Sequence, residues 1–186
     1  MKKYLLFVLL TGSSGVFAQG WTLNQLAQQF AGIPESRAAF VERKTSALLD
    51  QPLITRGMLY YAAPDKLTKD IKEPEKATWF IYGDEVILER PGQPQQRFPL
   101  DAHPALRPLT TSIRSLLAGR IDELKKYYAT RLEGDQAGWQ LLLTPIDASL
   151  KNIVRTIAIS GQGHDIKRIM TQEANGDRTE MLVGQK

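Results

Sequence analysis

The chain has 186 residues, with 24 Lys and Arg against 20 Asp and Glu, and no cysteine. That length permits one domain with a sizeable core. The small positive charge and the lack of a long basic run exclude an electrostatic case for nucleic acid and leave only a weak one for an anionic membrane. Without cysteine there are no disulfides and no lipid-modified thiol, so packing alone must hold the fold.

The opening residues, MKKYLLFVLLTGSSGVFAQG, join Lys2 and Lys3 to an apolar run from Tyr4 to Leu10 and a small-residue site, Val16-Phe17-Ala18, before Gln19. This predicts a secretory signal peptide over residues 1–18 and a single domain over 19–186. The apolar run falls short of the roughly 20 residues a membrane-spanning helix needs. A charged start of this kind points to the periplasm of a Gram-negative bacterium.

Thr22 is placed to cap a helix carrying Leu23, Leu26, Ala27 and Phe30, which recur at helical spacing until Gly32 and Pro34. From Ala38 the pattern becomes strand, with Phe40 interleaved with Glu42 and Lys44, then a turn near Asp50-Gln51-Pro52. The next strand, GMLYYAAPDKL from Gly57, is apolar on both faces, so an apolar neighbour is expected on each side. After Pro64-Asp65 the stretch KLTKDIK places Leu67, Lys69 and Ile71 on one side of a further strand.

Gly83-Asp84, between Trp79–Tyr82 and Glu85–Leu88, predicts a two-residue hairpin, and Pro91-Gly92-Gln93-Pro94 a second turn before a strand at Arg97–Leu100. Thr111 or Ser112 is expected to cap a helix bearing Ile113, Leu116 and Leu117 and ending at Gly119, with a second short helix marked by Ile121 and Leu124. Strands resume at Tyr127–Leu132, Trp139–Thr144, Ile153–Ser160, Asp165–Gln172 and Thr179–Val183, the last two separated by Asn175-Gly176. The expectation is a mainly β domain with helices, of about ten to eleven short strands.

Catalytic signatures are missing. His103 and His164 sit in loop-like contexts without metal-ligand spacing, and there is no Gly-x-Ser-x-Gly elbow. Asp84, Glu85, Asp122 and Glu123 fall on a turn and a helix start, where structure accounts for them. No catalysis, metal or cofactor is assigned.

The order of elements resembles the periplasmic lipoprotein-carrier family, LolA. The resemblance rests on Phe40-Val41-Glu42, on Gly57, Leu59, Tyr61, Pro64, Lys66 and Leu67, and on Tyr82-Gly83-Asp84. Leu116 to Gly119, Leu143-Thr144-Pro145 and Glu173 to Gly176 complete it. It implies an unclosed antiparallel β-barrel capped by helices around an apolar cavity, with one face of the Gly57 strand lining the cavity and the other packing outward against loops or neighbouring side chains. It further implies a soluble, monomeric carrier that takes acyl chains of a lipidated cargo from an inner-membrane donor complex to an outer-membrane acceptor. Two departures suggest a diverged relative whose cargo could be another acylated envelope lipid. Ala63 stands where such carriers commonly place a lid-latching Arg, and the chain ends soon after its last strand.

On this resemblance, Leu59, Tyr61, Trp79, Ile81, Trp139 and Leu141 are expected to face the cavity, with Phe30, Ile113, Leu116 and Leu117 from the lid. Pattern alone leaves a second account open, in which all ten fill an ordinary β-sandwich core. Leu67 has two accounts as well, an exposed contact for a partner or a strand-end core residue. A non-transport interaction module on the same scaffold is a third functional class.

Overall fold

The computed structural model describes residues 21–102 and 106–184. The signal-peptide expectation over 1–18 and His103 lie outside the described residues. The chain runs α1 (Leu23–Ala31), β1 (Glu35–Thr45), β2 (Leu53–Ala62), β3 (Lys66–Glu73), β4 (Ala77–Tyr82), β5 (Glu85–Glu89) and β6 (Gln96–Pro99). A 3-10 turn (Leu100–Ala102), α2 (Leu106–Leu117) and α3 (Ile121–Tyr127) interrupt the strands. Then come β7 (Tyr128–Asp135), β8 (Gly138–Pro145), α4 (Ala148–Lys151), β9 (Val154–Gln162), β10 (Asp165–Glu173) and β11 (Arg178–Val183).

All eleven strands form one sheet in the order β6-β5-β4-β3-β2-β1-β11-β10-β9-β8-β7. Each neighbouring pair is antiparallel, and β1 joins the two halves, with Phe40 opposite Gly57 on one side and Val183 on the other. The ladder ends at β6 and β7, which do not pair, so the barrel is unclosed.

Local chemistry explains most element ends. Thr22 accepts the Gln25 backbone N–H while the Gln25 side chain accepts the Thr22 N–H, a reciprocal capping box. Gly119 stops α2 with φ +70°, a conformation that favours glycine. Thr111 and Ser112 do not cap α2, contrary to the sequence expectation, because the described helix already runs from Leu106. Pro108 is tolerated in the first turn of that described run, where backbone N–H groups lack helical acceptors in any case. The Ser112 hydroxyl instead bonds back to the Pro108 carbonyl at 2.6 Å.

Directly opposed residues in an antiparallel ladder share a face. The register therefore sets Phe40, Leu59, Tyr61, Leu67, Lys69, Ile71, Trp79, Ile81, Val86 and Phe98 on one face of the β1–β6 half. The helices cover this inner face. Over β7–β11 they seal it: Leu26, Ala27 and Phe30 of α1, Leu116 of α2, and Ile121 and Leu124 of α3 bury against Phe40, Trp139, Leu141, Leu143, Ile157, Ile159, Ile169, Met181 and Val183. A second, smaller cluster of Ile81, Val86 and Leu100 forms over β4–β6.

The other face of β2 packs against neighbouring side chains of β1 and β3, as the resemblance implies, rather than against the apolar layer that its pattern alone suggests. Met58 and Tyr60 point outward, and Tyr60 stays 40 % exposed. The opposed residues Arg37 and Thr68 flank it in the register.

Candidate functional site

The inner wall between the two clusters carries apolar side chains that are only half-buried. Six of the ten expected cavity residues are buried: Phe30, Leu116, Trp139 and Leu141 in the main cluster, Ile81 in the smaller one, and Tyr61 at the end of β2. Leu59, Trp79, Ile113 and Leu117 are only half-buried. Leu59, Ile113 and Leu117, with Ala38, Ile71 and Leu109, pack at the margin of the main cluster. Trp79, Leu67, Phe98 and Leu106 do the same for the smaller one. A strip of half-buried apolar side chains thus runs between two dry clusters. Leu67 belongs to that strip.

Aromatic geometry stiffens both flanks. Phe30 meets Trp139 edge-on at 6.0 Å between centroids, and Trp79 meets Phe98 likewise at 6.2 Å. The Trp139 indole N–H donates to the Gly163 carbonyl at 2.9 Å. Gly161, opposite Trp139 in the ladder, leaves room for that indole: a Cβ there would stand 2.6 Å from a ring carbon and 2.1 Å from the Asp165 carbonyl oxygen.

Helix α2 sets Leu109, Ile113, Leu116 and Leu117 against the main cluster and Leu106 against the smaller one. It packs chiefly on α1, α3 and the 3-10 turn. The Tyr128 hydroxyl donates to the Pro108 carbonyl at 3.2 Å and ties α2 to the start of β7. On the opposite side Arg114 does the tying. Its guanidinium donates to the Gly83 carbonyl in the β4–β5 turn and lies 3.8 Å from Asp65 Oδ2 in the β2–β3 turn. This bond runs from α2 to the turn at the rim of the sheet. Nothing local in the sequence marks Arg114, because its partners come from turns distant in the chain.

Tyr61 sits close to this junction. Burial pushes its hydroxyl above the ordinary value of 10.0; Arg120 and Arg114 oppose the shift and Asp65 adds to it. At the middle of the strip, Lys69 of β3 bonds Glu42 of β1 at 2.7 Å. The sequence placed Lys69 on the side of Leu67 and Ile71 and Glu42 near Phe40, but it gave no sign that the two would pair.

Two open clefts each reach one expected cavity residue, Tyr61 in the first and Trp139 in the second. One, of about 490 Å³, crosses the outer ends of β1–β4 and is lined by Arg37, Tyr60, Lys66 and Tyr82 among others. There Phe80 and Tyr82 stack at 6.4 Å, and the Lys66 ammonium lies 5.8 Å from the Tyr82 ring. The other, of about 450 Å³, lies beside β7–β9. No group of three or more His, Cys, Asp or Glu suited to a metal ion occurs among the described residues.

The family description "Outer membrane lipoprotein carrier protein LolA-like" matches residues 12–186, nearly the whole chain. The chain belongs to this LolA-like family. No curated protein matches it. Similar solved structures include a LolA superfamily protein from Nitrosomonas europaea, at 12 % identity and TM-score 0.47, covering 87 % of this chain and 90 % of that one. The MucA/MucB complex of Pseudomonas aeruginosa is another, at 12 % identity and TM-score 0.44, covering 88 % of this chain and 56 % of that one. A DUF1329 family protein from Desulfovibrio piger aligns at 9 % identity and TM-score 0.38, covering 87 % of this chain and 88 % of that one. Among the described residues no helix is long and apolar enough to cross a membrane.

Proposed function

We propose that this protein is an exported periplasmic carrier that shields acyl chains of a lipidated cargo, lipoproteins first among them, against the strip beneath α2. The observation that carries the reading is the half-buried apolar wall of Leu59, Ile71 and Trp79 under a lid held by few bonds. An ordinary core would close such a wall, because each buried CH₂ contributes about 0.8 kcal/mol. Left open, the same surface offers that free energy to a hydrocarbon tail.

The buried clusters set the limits of the site. Phe30, Leu116, Trp139 and Leu141 hold the closed half of the barrel, while Leu59, Trp79, Ile113 and Leu117 meet the chain. Cargo enters as α2 swings away from β2–β5, and leaves when the lid's own side chains return. The carrier passes its load from an inner-membrane donor complex to an outer-membrane acceptor as a monomer, and performs no catalysis. No metal or cofactor takes part.

Binding of a fluorescent apolar reporter such as N-phenylnaphthylamine tests the reading. The unmodified protein should take up the reporter, and a fatty acid should displace it. Leu59→Glu should abolish uptake with the β-rich circular dichroism spectrum unchanged. Reporter that never binds, with native preparations free of lipid by mass spectrometry, would remove the carrier reading.

A second reading has its own observation. The outward row of Tyr60 and Tyr82, 40 % and 38 % exposed, beside Lys66 and Arg37 suits a protein partner. Under that reading Tyr60→Ser would release a bound protein while reporter uptake stayed intact.

A further inference from the structure

We infer that Lys69 and Glu42 form a polar reader on the apolar wall, recognising a neutral acyl head that offers both a hydrogen-bond acceptor and a donor, as an amide does. This rests on the carrier reading above and specifies the cargo's head. Lys69 lies between Leu67 and Ile71 on the inner side of β3, and faces Leu59 on β2 and Trp79 on β4. Four apolar neighbours thus flank the Lys69 position in the sheet. Its side chain is 26 % exposed and that of Glu42 15 %, so the pair is partly withdrawn from water.

Withdrawing such a pair costs desolvation, and apolar residues of similar size would hold the wall at least as well. Stability therefore does not account for it. Its hydrogen bonding is also incomplete. Glu42 Oε1 accepts from Lys69 Nζ at 2.7 Å and from Thr55 Oγ1 at 3.3 Å, while Oε2 accepts from no described residue. The ammonium has three donors. One goes to Glu42, and the Phe40 ring lies 5.1 Å away as a cation–π partner. A donor on Lys69 and an acceptor on Glu42 remain for a visitor.

The pair as a whole is neutral, which decides the class of head. A carboxylate would meet the Glu42 carboxylate as well as the ammonium, and a quaternary amine would meet the reverse conflict. An amide avoids both, its carbonyl accepting from Lys69 and its N–H donating to Glu42. A chain attached to that head would lie against Leu59, Leu67 and Trp79, the direct neighbours of Lys69 in the sheet.

Displacement of N-phenylnaphthylamine from the full-length protein tests this with matched twelve-carbon probes. N-methyldodecanamide should compete at about tenfold lower concentration than methyl dodecanoate, which lacks the N–H, because hydrogen bonds to charged groups are worth about that factor. Dodecanoate and dodecyltrimethylammonium should compete no better than the ester. Glu42→Gln and Lys69→Met should each erase the amide's advantage, read as the ratio of amide to ester competition within that variant. Equal competition by amide and ester in the unmodified protein would overturn the inference and leave the carrier reading standing. So would an amide advantage that survives in Glu42→Gln. A reporter that never binds would remove the carrier reading, and this one with it.

Discussion

Arg114 of α2 donates to the backbone carbonyl of Gly83, 31 residues away in the chain, and this bond fastens the lid to the rim of the half-open sheet. The guanidinium is 13 % exposed, so the bond is shielded from water on most sides. Asp65 stands on the same side at 3.8 Å and adds a longer-range attraction. Helix α2 thus bridges a sealed half of the barrel and a half whose wall is still partly open.

Removing the Arg114 bond should loosen the lid without unfolding the domain. A hydrogen bond from a charged donor contributes about 1.5–3 kcal/mol. Arg114→Met should therefore speed reporter uptake and release in stopped flow by about tenfold or more. Asp65→Asn, which removes only the more distant charge, should change the rates by less than about threefold. Identical rates in Arg114→Met and the parent would show that the lid moves elsewhere.

Leu116 and Leu59 both face inward, yet they should respond differently. Leu116 is fully buried among α1, α3 and the sheet, so Leu116→Ala should cost about 2–5 kcal/mol in urea denaturation. Leu59 is half-buried at the strip. Leu59→Ala should lower stability by less than Leu116→Ala does and weaken reporter binding more. The reverse ranking would move the site into the main cluster.

Gly161 should not accept a side chain. The Asp165 carbonyl and the Trp139 ring both stand within contact range of a new Cβ, and the carbonyl belongs to backbone that cannot step aside. Gly161→Ala should cost about 1–3 kcal/mol in thermal or urea unfolding and shift the tryptophan emission. A neutral result would mean that the β9–β10 hairpin yields more easily than its register suggests.

Alkaline pH should expose the buried phenol at the lid's root. Burial raises Tyr128 above its ordinary 10.0, with the Ser112 hydroxyl pulling the other way. The folded protein then keeps the phenolic proton to higher pH than the unfolded chain does. Its contribution is complete below about pH 10 and is lost as pH rises through the folded value, at up to about 1.4 kcal/mol per pH unit. Tyr128→Phe should lose about 1 kcal/mol at neutral pH with its bond to Pro108. Its urea midpoint should also fall less steeply between pH 9 and 11, and parallel curves would remove Tyr128 as the cause.

Much of the fold was legible because its signals are local. The Thr22 cap, the Gly83-Asp84 hairpin, the Gly119 stop and the Asn175-Gly176 turn each depend on a few adjacent residues, and each element stands where expected. The start of α2 was misread, because Thr111 and Ser112 are good caps wherever a helix begins and nothing local forbids an earlier beginning. The outward side of β2 packs against neighbouring strand residues, as the resemblance implies, and not against the layer its pattern suggests. Apolar residues at Met58 and Tyr60 imply an apolar cover only when another layer exists to supply it.

The family resemblance and the alternation of strand side chains, read from the amino-acid order, set the architecture and the inward row Leu59 and Tyr61. The period of two leaves each residue only two faces to choose between. Which inward residues are sealed and which stay half-open was decided only by tertiary structure, because α1 and α3 settle over β7–β11 and leave β2–β4 to α2. The same holds for Arg114 with Gly83 and for Lys69 with Glu42. Their pairing depends on how strands and helix from separate parts of the chain meet in space, and no short window of residues contains that information.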